Sequence, residues 1–316
     1  MKIIFYGTPE FAVPSLELLL QHHKDIVAVV TAPDKPAGRG RKLTPSPVKE
    51  AALKHNLFVF QPEKLKDPEF LETLKNLNAD LQIVVAFRMM PEVIWKMPSQ
   101  GTFNLHGSLL PQYRGAAPIN WAIINGEKNT GLTTFFLQQE IDTGRIIFSK
   151  EIEITDEDNA TSLQNRMMIQ GAELVLKTVE AIEKGSGSST PQEEFIHSEL
   201  KAAPKLSREN TRIHFNQGAI QIRNMIRGLS LHPGAHCELL KPDHETLTVK
   251  IFEAKANIHS HTHAIGEMET DNKTFLKIFV QDGSLDISEL QFPGKSRMKI
   301  KDVLNGYKFD VGMKFC

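Results

Sequence analysis

Cysteine is almost missing from this chain. Cys237 and the terminal Cys316 are the only two, too few for a disulfide framework or a thiolate metal site, which points to a reducing compartment and a cytoplasmic location with no bound metal. Long apolar runs are missing too: no stretch approaches the roughly 20 residues of a transmembrane helix. The opening run Met1 to Gly7 reaches glycine too early for a secretory signal, and an Arg-rich, Ser-rich transit segment is not present. A charge of one sign is also lacking. The formal net charge of −1 excludes a uniformly basic nucleic-acid binder, so any RNA contact must come from local patches. Two motifs are absent as well. Gly7-Thr-Pro-Glu-Phe11 lacks the Gly-x-Gly-x-x-Gly of a dinucleotide-binding turn, and no Gly-x-Ser-x-Gly elbow surrounds Ser108, which argues against a Rossmann dehydrogenase and a serine hydrolase. Internal repeats and long low-complexity tracts do not occur.

What is present is a chain of 316 residues with 41% hydrophobic content, a length and composition that suit two globular domains. Lys2 to Tyr6 reads as a buried strand stopped by Gly7-Thr-Pro9, followed by helical spacing over Pro14 to Gln21. A strand at Ile26 to Thr31, a helix at Val48 to His55, an amphipathic segment at Phe70 to Leu77 and a strand at Ala79 to Phe87 continue the pattern. This alternation predicts a parallel sheet with helices on both faces. Further strands are expected at Gly101 to His106 and Gly131 to Leu137, around a helix at Ala117 to Asn125. After the helical pattern of Ala172 to Ile182, the small residues of Lys184-Gly-Ser-Gly-Ser-Ser-Thr-Pro-Gln192 mark a linker. Beyond it, Leu247 to Phe252, Phe275 to Val280 and Leu285 to Leu290 are short and β-rich, so a small, mainly-β domain follows.

Two segments carry chemistry. Asn104 and His106 are separated by one apolar residue, which on a strand puts both on one face. An uncharged amide donor beside an imidazole suits the oxyanion of an acyl transfer; equally, the pair can finish a strand and cap the next turn. Asp142, beside Gly144 in the loop after Gly131 to Leu137, can orient an imidazole or simply close a turn.

Taken together, Asn104-Leu-His106, the run Leu109-Leu-Pro-Gln-Tyr-Arg-Gly-Ala-Ala-Pro118 and the later Gly131 through Gly144 resemble the signature of the folate-dependent formyltransferases. The resemblance extends over Gly7 to Pro14, Pro33 to Gly40 and Pro45 to Lys49, then Ala203 to Leu206, Ile226 to Ser230 and Pro233 to Ala235, and weakens after about Leu240. It implies an α/β, Rossmann-like parallel-sheet catalytic domain over residues 1–184, a linker over 185–205 and an OB-like barrel that binds tRNA over 206–316. Asn104 and His106 would polarise the formyl oxygen, and Asp142 would position His106 or relay a proton. The formyl donor would be 10-formyltetrahydrofolate, held by Phe87, Arg88, Met89 and Met90 and by Ser108, Leu109, Leu110 and Pro111. Arg88 stands where the family usually has a glycine, which leaves it shaping the folate wall or pointing toward the folate tail or the tRNA. Two junction pairs, His214-Phe215 and Leu231-His232, also depart from the family pattern.

The acceptor is indicated by the Pro33 to Pro47 stretch. Lys35, Arg39, Arg41 and Lys42 stand among glycines and prolines with only Asp34 opposing them. On composition this is either a solvated surface loop or a basic loop for RNA. By resemblance it implies methionyl initiator tRNA as acceptor and partner, with Arg39 as the principal contact and Arg41 and Lys42 supporting it. Lys295, Arg297, Lys299, Lys301, Lys308 and Lys314 add a basic face or an exposed strand. A monomer is expected. The alternatives are a formyltransferase for an amino sugar nucleotide or glycinamide ribonucleotide, and a non-catalytic RNA-binding protein.

Overall fold

The structure is a computed structural model that describes residues 1–37 and 42–316, the side chains of Ala37 and Lys42 excepted. The chain divides into two compact units. The first comprises Met1–Pro118, Asn129–Glu153 and Gln164–Ala202; the second comprises Ile119–Lys128, Ile154–Leu163 and Ala203–Cys316.

The first unit is built on a seven-stranded sheet whose spatial order is Ile146–Glu153, Asn129–Phe136, Thr102–His106, Leu81–Val85, Lys2–Gly7, Asp25–Val30, Val59–Phe60. The apolar runs read as strands are the buried ones: Ile3, Ile4, Phe5, Tyr6, Leu81, Ile83 and Val85 are essentially inaccessible, as parallel strands covered on both faces require. Helix starts follow local chemistry. Asp67 accepts from the backbone N–H groups of Glu69 and Phe70 and Pro68 opens the helix Pro68–Asn76. Ser46 accepts from Lys49 N–H ahead of the helix Pro47–Lys54, again with proline first. Both are N-caps followed by a residue that has no N–H to leave unpaired. Phe70 and Leu74, one helical turn apart, are the buried face of the first.

The Rossmann-like class holds, with one correction. The five strands from Thr102–His106 to Val59–Phe60 are parallel, but Asn129–Phe136 pairs antiparallel with Thr102–His106, and Ile146–Glu153 pairs antiparallel with it. Apolar periodicity carries no strand direction. Two neighbouring strands joined by a direct turn can only be antiparallel, whereas a parallel pair needs a crossover. The stretch 185–205, expected as a linker, makes defined contacts. As far as Ala202 this stretch belongs to the first unit, where Thr190 exchanges backbone hydrogen bonds with Ile146 at 2.8 Å each way and Gln112 donates to Ser198 and Glu199. Small polar residues give the composition of a flexible tether, yet here they satisfy the sheet edge.

The second unit is mainly β. Its strands run Met268–Thr270, Leu276–Val280, Gly283–Gln291, Thr246–Ile258, Ala235–Leu240, Lys314–Phe315 in antiparallel order, with Met298–Lys299 beside Gly283–Gln291. The helix Ala219–Gly228 buries Ile222, Met225 and Ile226 in the same core as Val249, Ile251, Ile278 and Leu285. Gly266 brings the two edges of the sheet together, donating to Phe279 O at 2.8 Å and accepting from Phe315 N at 2.9 Å, so the sheet nearly closes into a barrel. The alternation Arg297-x-Lys299-x-Lys301 is not one strand face: the strand ends at Lys299 and the helix Ile300–Gly306 begins. Among the described residues no helix is long and apolar enough to cross a membrane.

Two stability predictions follow from these positions. Gly266 has φ +82°, and a Cβ there would lie 2.0 Å from Phe315 O, so Gly266→Ala must open the barrel seam. Urea unfolding should register a loss of about 1–3 kcal/mol in the transition of the second unit; an unchanged midpoint would contradict the closure. Conversely, the Tyr6 hydroxyl is buried without a hydrogen-bond partner among the described residues, and burial pushes its pKa up. Tyr6→Phe should stabilise the first unit by about 1 kcal/mol at neutral pH, because an unpaired buried hydroxyl carries an uncompensated desolvation cost. At alkaline pH the advantage should grow, since ionisation of tyrosine is favoured only in the unfolded chain.

Candidate active site

The strands Leu81–Val85 and Thr102–His106 lie side by side in parallel, with Val84 opposite Asn104 and Val85 opposite Leu105. Their carboxyl ends therefore release the segments 86–91 and 107–111 from neighbouring positions, where ligands of open α/β sheets collect. Asn104 and His106, two residues apart, share a strand face as expected. Asn104 is half-buried and His106 is 6% exposed.

The imidazole is held from two sides. Its Nε2 lies 2.9 Å from Tyr113 O; a carbonyl only accepts, so Nε2 carries the proton and donates it. Its Nδ1 lies 3.8 Å from Asp142 Oδ2, too long for a hydrogen bond but within ion-pair range. The Phe135 ring stands edge-on to the imidazole at 6.4 Å. The structure thus brings Asn104, His106 and Asp142 together, although the last is far away in sequence. Asp142 adopts φ +56°, and its Oδ2 accepts from Gly115 N at 3.0 Å. Gly144 is demanded at its position, since a Cβ would come within 1.6 Å of Phe136 O.

The loop after His106 is fixed by internal hydrogen bonds. Fully buried Thr133 donates to Ser108 O at 2.7 Å and accepts from Leu110 N at 3.1 Å, while Ser108 Oγ donates to Gln112 O at 2.6 Å. Ser108, Leu110 and Pro111 are buried and Leu109 is half-buried. On the neighbouring segment, Phe87 is half-buried against Tyr6, Met89 is 78% exposed, and Met90 is packed into the core with Ile94. Of the residues expected to line a folate site, Phe87, Met89 and Leu109 have accessible apolar surface, whereas Met90, Ser108, Leu110 and Pro111 are buried. Arg88 is committed differently from either outward direction expected for it: its guanidinium donates to the carbonyls of Pro62 and Glu63 and sits 5.7 Å from the Phe87 ring centre. It braces the 86–91 segment against its neighbour.

Sequence reasoning missed Gln192, Arg114 and Thr133. Gln192 is fully buried and bonds both Arg114 and the Asp142 loop. Periodicity holds no signal for it, because its partners are backbone carbonyls and a guanidinium brought in from elsewhere in the chain.

Of the basic stretch, Arg39 and Arg41 lie outside the described residues. Lys35 is exposed at the start of the short strand Lys35–Ala37, which pairs antiparallel with Lys42–Thr44. The Asp34 carboxylate accepts from Lys49 Nζ at 2.6 Å and from Gln61 Nε2 at 2.7 Å, while Gln61 also donates to Ala32 O at 2.8 Å. In the second unit, Lys295, Lys299, Lys301 and Lys314 are exposed. Arg297 pairs with Glu289 over the Phe252 ring, and Lys308 donates to Asn272 O and Leu304 O.

A Rossmann-like sheet followed by a small, nearly closed barrel is the fold of solved formyltransferases, and this chain has it. The family model described as formyl transferase matches residues 1–179, and the model of the formyl transferase C-terminal domain matches residues 205–308. Among solved structures, the sugar 3N-formyl transferase WlaRD shares the fold, with a TM-score of 0.64 at 21% identity, covering 94% of this chain and 99% of that one. Much greater similarity is found to the methionyl-tRNA formyltransferase of Bacteroides fragilis, 51% identical over 315 residues, covering 99% of this chain and 97% of the relative. The enzyme of the same name from Bacteroides thetaiotaomicron is 49% identical over 315 residues, covering 99% and 98%. With half its residues identical to these proteins from end to end, the chain belongs to the methionyl-tRNA formyltransferase family.

The Asp34 anchor makes a pH-dependent prediction. Lys49 and Gln61 hold its carboxyl below the usual carboxylate range, so whatever order it lends to the hairpin base is fully present above the unfolded value of about 3.9 and is lost as pH falls below it. Relative to the intrinsic exchange rate at each pH, the protection of the amides in Lys35–Ala37 and Lys42–Thr44 should fall in acid in the native protein. Asp34→Asn should show the lower protection already at neutral pH; identical protection in the two proteins would refute the anchor.

Proposed function

We propose that this protein transfers the formyl group of 10-formyltetrahydrofolate to the amino group of methionyl initiator tRNA, in the cytoplasm. The observation that carries the reading is the approach of the Asp142 carboxylate to His106, on the strand that also bears Asn104, in a chain half identical to methionyl-tRNA formyltransferases over its whole length. The folate fits what surrounds these residues: Phe87, Met89 and Leu109 offer an apolar wall, and the backbone between Ala86 and Pro91 lies outside helix and strand, leaving polar groups for a ring edge. Bound there, the folate supplies an activated formyl group.

The chain's own residues do the rest. Asn104 is the uncharged donor toward the formyl oxygen, where negative charge grows as the amine attacks. His106, with its proton on Nε2 fixed by Tyr113 O, turns its Nδ1 toward Asp142. A proton taken from the amine onto that ring gives an imidazolium flanked by a carboxylate and a carbonyl, which can pass the proton to the departing nitrogen. Asp142 holds the ring and balances that charge. Thr133 and the buried loop 108–111 keep the donors in place without reorganisation during the step. The acceptor stem is met by Lys35, Arg39, Arg41 and Lys42, with Arg39 the principal contact, and by the exposed lysines of the second unit.

Incubation with 10-formyltetrahydrofolate and charged methionine tRNAs should formylate the initiator and spare the elongator; formylation of neither would sink the reading. Asn104→Ala and His106→Ala should lower kcat by roughly 100- to 1000-fold, the cost of a lost oxyanion donor, with little change in KM for tRNA. Arg39→Ala should show the opposite split. Parallel losses in both constants at all three positions would remove the assignment of roles.

A further inference from the structure

The catalytic carboxylate proposed above belongs to a residue with positive φ in an irregular loop, so something must hold it. One strap, residues 189–192, is hydrogen-bonded to that loop on both sides of its glycine. Thr190 exchanges both backbone bonds with Ile146 at 2.8 Å. Arg145 donates from Nε to Ser189 Oγ at 3.0 Å and from its terminal nitrogen to Ser189 O. Gln192, the last residue of the strap, is 0% exposed. Its Nε2 donates to Asp142 O at 2.9 Å and to Gly144 O at 2.8 Å, and its Oε1 accepts from Arg114 at 3.0 Å and 2.6 Å.

Every hydrogen-bonding position of this amide is thereby used: two donors on two carbonyls, two acceptor sites on one guanidinium. The partners also settle its orientation, since the reverse would set an oxygen against two carbonyls and an NH2 group against a cation. The bonds form a closed circuit. Arg114 is followed by Gly115, whose N–H holds the Asp142 carboxylate at 3.0 Å; Asp142 O returns to Gln192, and Gln192 returns to Arg114. The amide therefore couples the position of the Asp142 backbone to the loop that also supplies Tyr113 O to His106.

We propose that Gln192 is a positioning residue of the reaction, setting Asp142 against His106 from the far side of the loop without touching substrate. This rests on the catalytic reading of Asp142 given above. A glutamate at this position keeps the length of the side chain and the acceptor for Arg114 but turns an oxygen toward two carbonyls, so it should release the Asp142 loop selectively.

The experiment is steady-state formylation by wild type, Gln192→Glu, Asp142→Asn and the double variant, with Gln192→Met as a second probe that fills the same volume. Circular dichroism and thermal melts identify the folded variants. Expected are a fall in kcat of about tenfold or more for a folded Gln192 variant with KM for both substrates within about twofold, and a double variant no slower than Asp142→Asn alone, since residues acting through one another are not additive. Wild-type kcat in a folded variant would overturn the proposal. So would a proportional change of kcat and KM, a fully multiplicative loss in the double variant, or failure of both Gln192 variants to fold, each of which marks a purely structural residue. Failure of the functional reading is distinguishable, because it shows as absent formylation in wild type.

Discussion

The strand Thr102–His106 is the member on which the catalytic unit turns. It is hydrogen-bonded in parallel to Leu81–Val85 on one side and antiparallel to Asn129–Phe136 on the other, so it stands where the sheet changes direction. Both consequences matter for the site. The parallel neighbour places the 86–91 segment beside the loop after His106. The antiparallel neighbour makes a direct return into Ile146–Glu153 sufficient, and that return is the loop that carries Asp142. Because Asn129–Phe136 and Ile146–Glu153 are antiparallel to one another, a short loop can join them, whereas a parallel pair would need a crossover.

Around that strand, irregular backbone is tolerated because its polar groups are answered by side chains from other parts of the chain. Thr133 serves the backbone of Ser108 and Leu110; Gln192 serves the carbonyls of Asp142 and Gly144; Arg88 serves those of Pro62 and Glu63. Buried loops are costly unless each donor and acceptor finds a partner. Fixing these segments in place and satisfying their backbone polar groups are thus one requirement here.

Much of the fold is readable along the chain. Lys2 to Tyr6, Ile26 to Thr31 and Ala79 to Phe87 are runs whose burial on both faces leaves continuous apolar residues, and each is a strand within a residue or two of the expected ends. Asn104 and His106 are also legible as a pair, because an i, i+2 spacing on a strand is a geometric statement. Arg88 is the instructive opposite. An arginine in place of glycine suggests either a reshaped segment or a new contact outward, and only the structure shows its guanidinium turning back to two carbonyls more than twenty residues distant in sequence. The composition of 185–202 leaves two outcomes open for a related reason: glycine, serine and threonine are the residues of tethers and equally those that satisfy a sheet edge.

The sequence by itself determined which segments are strands and helices, that a second, β-rich unit follows, and that an amide and an imidazole share a face. These depend on periodicity and on the conformational limits of proline, glycine and capping residues, all of which are local. Only the tertiary structure decided that two strands run antiparallel, that Asp142 meets His106, and that Gln192 and Arg114 hold it there. Strand direction leaves no periodicity, and hydrogen bonds between distant backbone and side-chain groups depend on where the chain returns in space, which no window of residues contains.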